Sequence, residues 1–372
     1  MKLTIDRDEL LRALSHVQSV VEKRTTIPIL SNVLLSTDEG RLSLTATDMD
    51  LEMVDAAAAE IEQPGSTTVP AHTFYDIIRK LPDDSLVAME INDEGTMMNL
   101  SCGRSKFRLG CLPKEDFPEM TTAETEDGFF IPAATLHAMI DHTKFAISTE
   151  ETRYYLNGIY VHVAETADGK VLRAVATDGH RLARYETALP DGAAQMPNMI
   201  VPRKTIQELG KLMDDTEESV HVRFSDKTVR FGFGHVRLTS KLIDGTFPDY
   251  ERVIPKNNTK MVQVDPKAFR IAVDRVSTIA AEKTRAIKLS IQGQSMVLTA
   301  SNTESGTASE ELEITYDANE AIDIGFNARY LMDVTQLLEN NCSISLNDSA
   351  SPTIIQDNQD PASLYVLMPM RV

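Results

Sequence analysis

The sequence predicts an α+β fold made of three copies of one unit, each with two helices packed on antiparallel sheets. Three observations support this prediction. The chain has 372 residues, which is long for a single hydrophobic core. Similar motifs recur in the same order at a spacing of about 125 residues, the mark of a repeat architecture. Each copy contains amphipathic helices and short alternating strands, which together form helix-on-sheet layers.

The repeat is visible in segments that end strand-like runs. The runs LTATD, AVATD and LTASN end in residues separated by 130 and 124 positions, namely Asp48, Asp178 and Asn302. A second set precedes a helical pattern and has spacings of 132 and 125, namely Pro70, Pro202 and Asn327. DFPEM at 116–120 and TFPDY at 246–250 repeat after 130 residues. We therefore place the domains at 1–122, 129–250 and 251–372, with linkers at TTAETEDG (121–128) and YERVIPKNNTK (250–260).

Each copy is predicted to open with an amphipathic helix, because apolar residues recur at spacings of three and four. These helices are expected at 7–21, 133–147 and 266–280. Asp265 and Pro266 suit a helix cap and first turn, and Pro132 is expected to act similarly. A second helix follows in each copy, after the cap Asn327 in the third. Strands fill the rest, as in TVRFGFGHVRLTSK at 228–241, which alternates in the period of a strand.

Composition favours a soluble globular protein, with 42% hydrophobic and 25% charged residues. No apolar run is long enough for a membrane span, and MKLTIDRDELL does not read as a secretory signal. The three cysteines form no CxxC pair and suit reduced thiols, so we expect a cytoplasmic protein without a membrane partner.

Charge is distributed unevenly along the chain. The six predicted helix windows sum to +6 within a net charge of −19, so the rest of the chain carries −25. If the helices lined one surface, that surface could face phosphate groups. The alternative is that lysine and arginine are simply good helix formers.

Enzyme signatures are missing from the sequence. It has no P-loop, HExxH, GxSxG or Rossmann glycine motif, and the eight histidines lack metal-ligand spacing, so neither cofactor nor metal is expected. TDGHRL at 177–182 could be a catalytic cluster using Asp178 and His180, but Asp-Gly favours a hairpin turn. We interpret it as one wall of a groove. The methionine-rich terminal segment ASLYVLMPMRV could form the other wall, or be an edge strand of the third copy.

Several motifs together resemble the sliding-clamp family, the β subunit of bacterial DNA polymerase III, over essentially the whole chain. They are TIPIL, RYYLNG, ATDGHRLA, VPRK, the SKL…FPDY segment, GFN..Y and the terminal YV.MPMR. The resemblance implies a non-catalytic processivity factor. Two chains would form a head-to-tail homodimer, a ring of six DNA-clamp domains with helices lining the hole. The ring would encircle double-stranded DNA without reading its sequence, in the cytoplasm at the nucleoid.

The resemblance also implies three sets of site residues. DNA-contacting positions fall on Arg24, His72, Tyr154, Arg203 and Lys204, where His72 occupies a position that is often basic in the family. The dimer interface falls on Lys106, Phe107, Leu109, Thr278 and Ile279. The peptide-binding pocket falls on Leu156, Thr177, Gly179, His180, Arg181, Leu182, Pro248, Arg252, Val253, Asn327, Tyr330, Val366, Leu367, Met368, Pro369, Met370 and Arg371.

This pocket is expected to bind short clamp-binding peptides of the replicative polymerase catalytic subunit, the clamp loader, repair and translesion polymerases, ligase and mismatch-repair proteins. Ala350 and Pro352, at the pocket rim, depart from the family pattern. Two alternatives are kept: a peptide-binding scaffold that does not encircle DNA, and a hydrolase using Asp178 and His180.

Overall fold

The structure is a computed structural model that describes residues 1–23, 25–120, 128–213, 219–281 and 284–371. The chain divides into two compact units. Unit 1 contains Met1–Leu136, Pro190–Pro197 and Lys204–Leu242. Unit 2 contains His137–Leu189, Asn198–Arg203 and Ile243–Val372. Most of the predicted first linker, 121–127, lies outside the described residues, and Gly128 already begins a strand.

The described part of the first repeat has nine strands and two helices. In chain order they are β1 Lys2–Asp6, α1 Arg7–Gln18, β2 Asn32–Asp38, β3 Arg41–Thr47, β4 Leu51–Ala58, β5 Glu60–Gln63, β6 Ser66–Pro70, α2 Ala71–Arg79, β7 Leu86–Ile91, β8 Met97–Cys102 and β9 Ser105–Gly110. The helices lie against the sheets through their apolar faces. In α1 these include Leu10, Leu14 and Val17, all inaccessible to solvent.

The third repeat reproduces this order, and the second does so with one strand fewer between its helices. The second contains β10 Gly128–Pro132, α3 Ala133–Asp141, β11 Gly158–Thr166, β12 Gly169–Thr177, β13 Arg181–Ala188, β14 Met199–Pro202, α4 Arg203–Met213, β15 Ser219–Phe224, β16 Thr228–Phe233 and β17 Val236–Lys241. The third contains β18 Lys260–Val264, α5 Pro266–Ser277, β19 Ala286–Gln292, β20 Ser295–Asn302, β21 Gly306–Glu313, β22 Thr315–Tyr316, β23 Ile322–Asn327, α6 Ala328–Thr335, β24 Cys342–Leu346, β25 Thr353–Gln356 and β26 Ser363–Leu367.

Four antiparallel sheets hold these strands together. Unit 1 has a five-stranded sheet, β5-β1-β7-β8-β9, and an eight-stranded sheet, β10-β15-β16-β17-β4-β3-β2-β6. Unit 2 has a nine-stranded sheet, β14-β11-β12-β13-β26-β25-β24-β18-β22, and a four-stranded sheet, β21-β20-β19-β23. The two long sheets each join strands of two repeats, through β17 with β4 and through β13 with β26. For this reason the compact units do not coincide with the repeats.

The predicted helix starts agree with the structure, whereas the predicted ends are too late. Asp265 caps α5 by accepting a hydrogen bond from the amide of Ala268, and Asn327 caps α6 in the same way. Pro132 is the last residue of β10, not the first residue of α3. Helix α3 ends at Asp141, because the buried Thr143 hydroxyl bonds back to a carbonyl oxygen of its last turn and a short 3₁₀ turn follows. The longest helices have 12 residues, and none in the described part of the chain is long and apolar enough to cross a bilayer.

Candidate functional site

The TDGHRL segment forms the tight turn between β12 and β13, as its Asp-Gly pair predicted. Gly179 has φ +88°, a conformation that favours glycine. Asp178 fixes the turn, since its Oδ1 accepts hydrogen bonds from the amides of His180 at 2.9 Å and Arg181 at 3.1 Å. The Thr177 hydroxyl donates to the Arg181 carbonyl at 2.7 Å. The turn is therefore held by its own side chains.

The C-terminal segment runs directly beside this turn. Strand β26 pairs with β13, so that Leu182 lies opposite Val366. Beyond the strand, the amide of Met368 donates to the His180 carbonyl at 2.9 Å, and the amide of Met370 donates to the Gly325 carbonyl at 2.8 Å. Strand β26 is thus paired on both sides, with β13 and β25, so it is not the edge strand that one interpretation expected, and the residues after it run beside the turn.

The floor between these walls is apolar. Leu156, Leu182 and Val366, three of the predicted pocket residues, are at most 4% exposed. They pack in one cluster with five residues that the sequence analysis did not assign to the site, namely Val175, Ile200, Phe247, Tyr250 and Leu364. The repeated FP motif, which contains Phe247, was the signal that could have identified this aromatic layer.

A polar group supports the aromatic layer from below. The Tyr250 hydroxyl lies 2.7 Å from Nη1 of Arg173 and 2.9 Å from Nε2 of His162. Arg173 is also paired with Glu186 and Glu251. Burial raises the pKa of Tyr250 to about 12, so the phenol stays neutral and anchors the layer by hydrogen bonds.

The rim of the site is open to solvent. Val253 is 46% exposed and Met368 is 39% exposed, so both apolar side chains face solvent. The other predicted pocket residues also lie in unit 2, and those at the surface are Gly179, His180, Pro248, Arg252, Asn327, Tyr330, Pro369, Met370 and Arg371. Ala350 and Pro352 are the two rim positions that depart from the family pattern. The amide of Ala350 donates a hydrogen bond to Asp348, and the Pro352 carbonyl accepts one from Asn258. The arrangement offers buried apolar surface beneath exposed apolar and polar edges.

Arg181 is bound within the wall and does not extend into solvent. Its Nε donates to Asp178 at 3.0 Å, its Nη1 to Asp333 at 2.5 Å and its Nη2 to the Phe145 carbonyl at 2.5 Å. The guanidinium also stacks on Tyr330, with its carbon 4.3 Å from the ring centroid. These contacts hold the guanidinium in place, so Arg181 fixes the position of the wall.

A polar cavity of about 450 Å³ adjoins this arginine. Its lining includes Lys144, Arg203, Arg329, Tyr330 and Asp333. Burial raises the pKa of Tyr330, chiefly by desolvating its hydroxyl. The lining of this cavity is charged, whereas the floor under β26 is apolar. The two sides of the TDGHRL turn therefore have different chemistry.

The geometry gives no support to a hydrolase. The Thr177 hydroxyl donates to a backbone carbonyl, and Oδ1 of Asp178 is occupied by the backbone amide of His180. The His180 ring lies parallel to Tyr330, with centroids 6.4 Å apart. A nucleophile would need a base within hydrogen-bond reach, and these contacts do not provide that pair. No group of three or more metal-ligating side chains occurs among the residues that the structure describes.

The predicted DNA-contacting residues differ in their surroundings. Arg24 lies outside the described residues. In unit 1, His72 contacts Gln18 and the Val21 carbonyl, and Lys204 pairs with Asp48 at 2.5 Å. In unit 2, Tyr154 is 53% exposed and Arg203 is exposed at the start of α4.

The predicted interface residues lie on strand β9, at a sheet edge, and just after the end of helix α5. Within the described chain, β9 pairs only with β8, and β21 pairs only with β20. On β9, Lys106 is exposed, Phe107 is half-buried and Leu109 is buried. What this edge leaves open is therefore the backbone of β9 on the side away from β8. Thr278 caps the end of α5 and is exposed, and Ile279 beside it is half-buried.

Comparisons with known proteins agree with one another. The chain matches models of the N-terminal, central and C-terminal domains of the DNA polymerase III beta subunit at residues 1–121, 130–249 and 251–371. It is 51% identical to the beta sliding clamp of Caulobacter vibrioides and 40% identical to that of Escherichia coli, each over 100% of both chains.

Solved structures give the same result. A Caulobacter crescentus beta sliding clamp with bound polyethylene glycol has a TM-score of 0.97 and 51% identity, covering 100% of this chain and 99% of that one. A Bartonella birtlesii sliding clamp bound to griselimycin also has a TM-score of 0.97, with 45% identity and 100% coverage of both chains. With its three repeated clamp domains, the chain therefore belongs to the DNA polymerase III beta subunit family, the beta sliding clamps.

Proposed function

We propose that this protein is a DNA sliding clamp, in which two chains join head to tail and encircle duplex DNA. The observation that carries the proposal is the pair of open edges. Strand β9 occupies in the first repeat the position of β17 and β26, and β21 occupies in the third repeat the position of β4 and β13. Of these strands, β17 pairs with β4 and β26 pairs with β13, in each case between two repeats. Pairing of β9 with β21 of a second chain would continue the same pattern and close a ring.

The charge distribution supports encirclement rather than tight binding. The helix windows carry +6 in a chain of net charge −19. A weakly positive lining meets phosphates without fixing a register, so barriers to sliding stay low. We propose that Arg24, His72, Tyr154, Arg203 and Lys204 contribute to this lining.

Retention on DNA tests the proposal. Protein loaded on nicked circular DNA should remain bound at a salt concentration that releases non-specific binders, and it should dissociate when the circle is cut once. Ile279→Asp, at the proposed interface, should sediment as a monomer and should not be retained. Unchanged retention after linearisation would show that affinity, and not encirclement, holds the protein, and would reject the clamp.

We further propose that the groove between the TDGHRL turn and the C-terminal segment binds short peptides of replication and repair proteins. The proposed partners are the replicative polymerase, the clamp loader, repair and translesion polymerases, ligase and mismatch-repair proteins. One or two apolar side chains of the peptide would enter the floor of Leu156, Leu182 and Val366. Met368 and Met370 would adapt to different peptides, because thioether side chains repack at low cost.

Peptide titration with a matched pair of variants tests this groove. Such a small contact predicts affinities of about micromolar per site. Met368→Ala should weaken binding of a polymerase-derived peptide roughly tenfold, as expected for loss of a central apolar contact. Met49→Ala, at a similarly exposed methionine in unit 1, should leave the affinity unchanged. Equal effects of the two substitutions would place the peptide site elsewhere.

The remaining features follow from the clamp. We propose that the protein is a non-catalytic subunit acting in the cytoplasm at the nucleoid, with domains at 1–122, 129–250 and 251–372. Neither alternative function is favoured by an observation in the described residues. A hydrolase screen of His180→Ala against the unaltered protein would test the enzyme alternative.

A further inference from the structure

The polar cavity beside the TDGHRL turn is lined only by residues of unit 2. Its volume of about 450 Å³ falls within the range of small-ligand pockets, about 300–1,000 Å³. Arg203 in its lining is the first residue of α4, and Arg329 is the second residue of α6. Two helix starts and the turn therefore contribute to its wall.

Every carboxylate in the lining already has a cation partner. Asp178 and Asp333 share Arg181, at 3.0 and 2.5 Å. Glu150 pairs with Arg153 at 2.5 Å, and the hydrogen bond from Arg153 lowers the pKa of the Glu150 carboxyl. The acidic side chains of the cavity are therefore already engaged.

Two of the four cations in the lining have no acidic partner. Lys144 bonds Asp141 at 2.5 Å, and Arg181 holds the two aspartates. In the part of the chain that the structure describes, no ion pair or hydrogen bond engages the guanidinium of Arg203 or Arg329, and both residues are exposed. A guanidinium carries five N–H donors, so the cavity presents two groups able to bind an anion.

The charge of the lining defines the size of the anion. Its four cations and three carboxylates leave a formal charge of +1, with histidine not counted, and they are Lys144, Arg181, Arg203, Arg329, Glu150, Asp178 and Asp333. Adding the outside partners Asp141 and Arg153 does not change this value. One negative group therefore balances the cavity, whereas a DNA strand would bring several phosphates towards the three carboxylates.

The cavity and the peptide groove share the TDGHRL turn. His180 and Tyr330 line the cavity and are also predicted groove residues. The Met368 amide donates to the His180 carbonyl at 2.9 Å, so the C-terminal wall of the groove contacts a residue of the cavity. Neighbouring strands lie about 4.8 Å apart and an extended peptide advances about 3.3 Å per residue. A residue a few positions from an apolar anchor can therefore pass the turn.

We propose that the cavity binds a carboxylate side chain of the peptide whose apolar residues occupy the groove, through the guanidinium groups of Arg203 and Arg329. This inference rests on the peptide groove proposed above. Arginine binds carboxylates through paired N–H donors, which fixes direction and adds affinity. The floor selects an apolar side chain and the cavity selects an acidic one nearby, so the site recognises two features of a partner.

Paired peptides test this inference without any change to the protein. Each peptide keeps the apolar anchor of a polymerase-derived clamp-binding peptide and carries one aspartate within three positions of it, and its twin carries asparagine there. At low salt, one position should show binding about fivefold tighter with aspartate than with asparagine, as for a partly exposed ion pair. The advantage should fall below about twofold at 1 M salt, where the screening length is about 3 Å.

Two variants and a matched control assign the advantage to the cavity. Arg203→Gln and Arg329→Gln should each reduce the aspartate advantage to about twofold or less, while the asparagine twin binds about as tightly as to the parent protein. Lys170→Gln removes an exposed cation at the opposite end of β12, outside the lining of the cavity. This control should keep the full advantage.

The possible outcomes separate the cavity from the groove. Equal binding of every aspartate peptide and its twin would overturn the inference and leave the groove intact. An advantage that survives both arginine variants would place the acidic residue outside the cavity. Arginine variants that change only the salt dependence of DNA retention would assign the cavity to DNA phosphates instead. A parent protein that binds none of the peptides would overturn the groove as well.

Discussion

Replacing Arg181 by methionine would remove the ion link between the second and third repeats while keeping most of the side-chain volume. The guanidinium donates to two carboxylates and one carbonyl, and it stacks on Tyr330. After the substitution, Asp178 and Asp333 would be left as partly buried charges without their common cation. The TDGHRL turn and the adjoining β26 are expected to open more often.

The structure sets the size of this effect. Breaking a buried ion pair by removing one partner costs about 3–5 kcal/mol. The side chains of Asp178 and Asp333 are 17% and 23% exposed, so water can partly solvate them. We therefore expect a loss near the lower limit, about 3 kcal/mol, which corresponds to roughly a hundredfold increase in opening.

Hydrogen exchange measures this opening locally. Amides of β13 and β26, and that of Met368, should exchange roughly a hundredfold faster in Arg181→Met if the opening is local. Arg252→Met is the control, because Arg252 is highly exposed and pairs only with an exposed Asp249 in the described structure. Such a pair contributes less than about 1 kcal/mol. Equal exchange in Arg181→Met and the parent protein would show that the strand pairing alone holds the junction.

Three further predictions concern stability and reactivity. Gly158→Ala should destabilise the protein by about 2 kcal/mol or more, because the added Cβ would lie 2.3 Å from a carbonyl oxygen of β14. Gly210→Ala should be neutral or stabilising by up to about 1 kcal/mol, because its Cβ would meet nothing within 4 Å. Thermal unfolding of the two variants checks both values. Burial lowers the pKa of His142 below its ordinary 6.5, so the unfolded chain binds a proton more readily and stability should fall as pH decreases below 6.5. Between pH 7.5 and 5.5, the melting temperature of His142→Gln should therefore fall less than that of the parent protein. An equal fall would contradict the assignment of this pH dependence to His142. Burial raises the pKa of both Cys342 and Cys111, but only Cys342 is inaccessible to solvent, so a thiol reagent should label the half-buried Cys111 at least roughly tenfold faster. Mass spectrometry of the labelled peptides checks this order, and faster labelling of Cys342 would contradict it.

The order of elements could be predicted from the sequence because it depends on local patterns. The period of apolar residues indicates each helix, and Asp265 and Asn327 have the side chains that cap a helix start. Helix ends were less predictable, since the apolar period continues into the short 3₁₀ turn after α3. The turn at Asp178 and Gly179 was equally local and was predicted correctly.

The partners of these elements could not be predicted in the same way. Arg181 is engaged by Asp333, a residue of the next repeat, and no local pattern indicates that pairing. The contacts of Arg181 show what holds its guanidinium in place, and its part in peptide binding stays a prediction. The layer of Phe247 and Tyr250 was missed although the repeated FP motif marks Phe247, because nothing in that motif indicates burial against strands distant in sequence.

The sheets that cross between repeats have a consequence for synthesis of the protein. Val54 in β4 pairs with Arg237 in β17, roughly 180 residues further along the chain, and such non-local contacts slow folding. At about 5–20 residues per second, a ribosome needs on the order of 10–40 seconds to produce the segment between them. During that interval β4 has an open edge on every nascent chain. Neighbouring ribosomes on one messenger RNA would hold several such open edges close together. The yield of folded protein should therefore depend on the translation rate more strongly than the stability of the finished fold suggests.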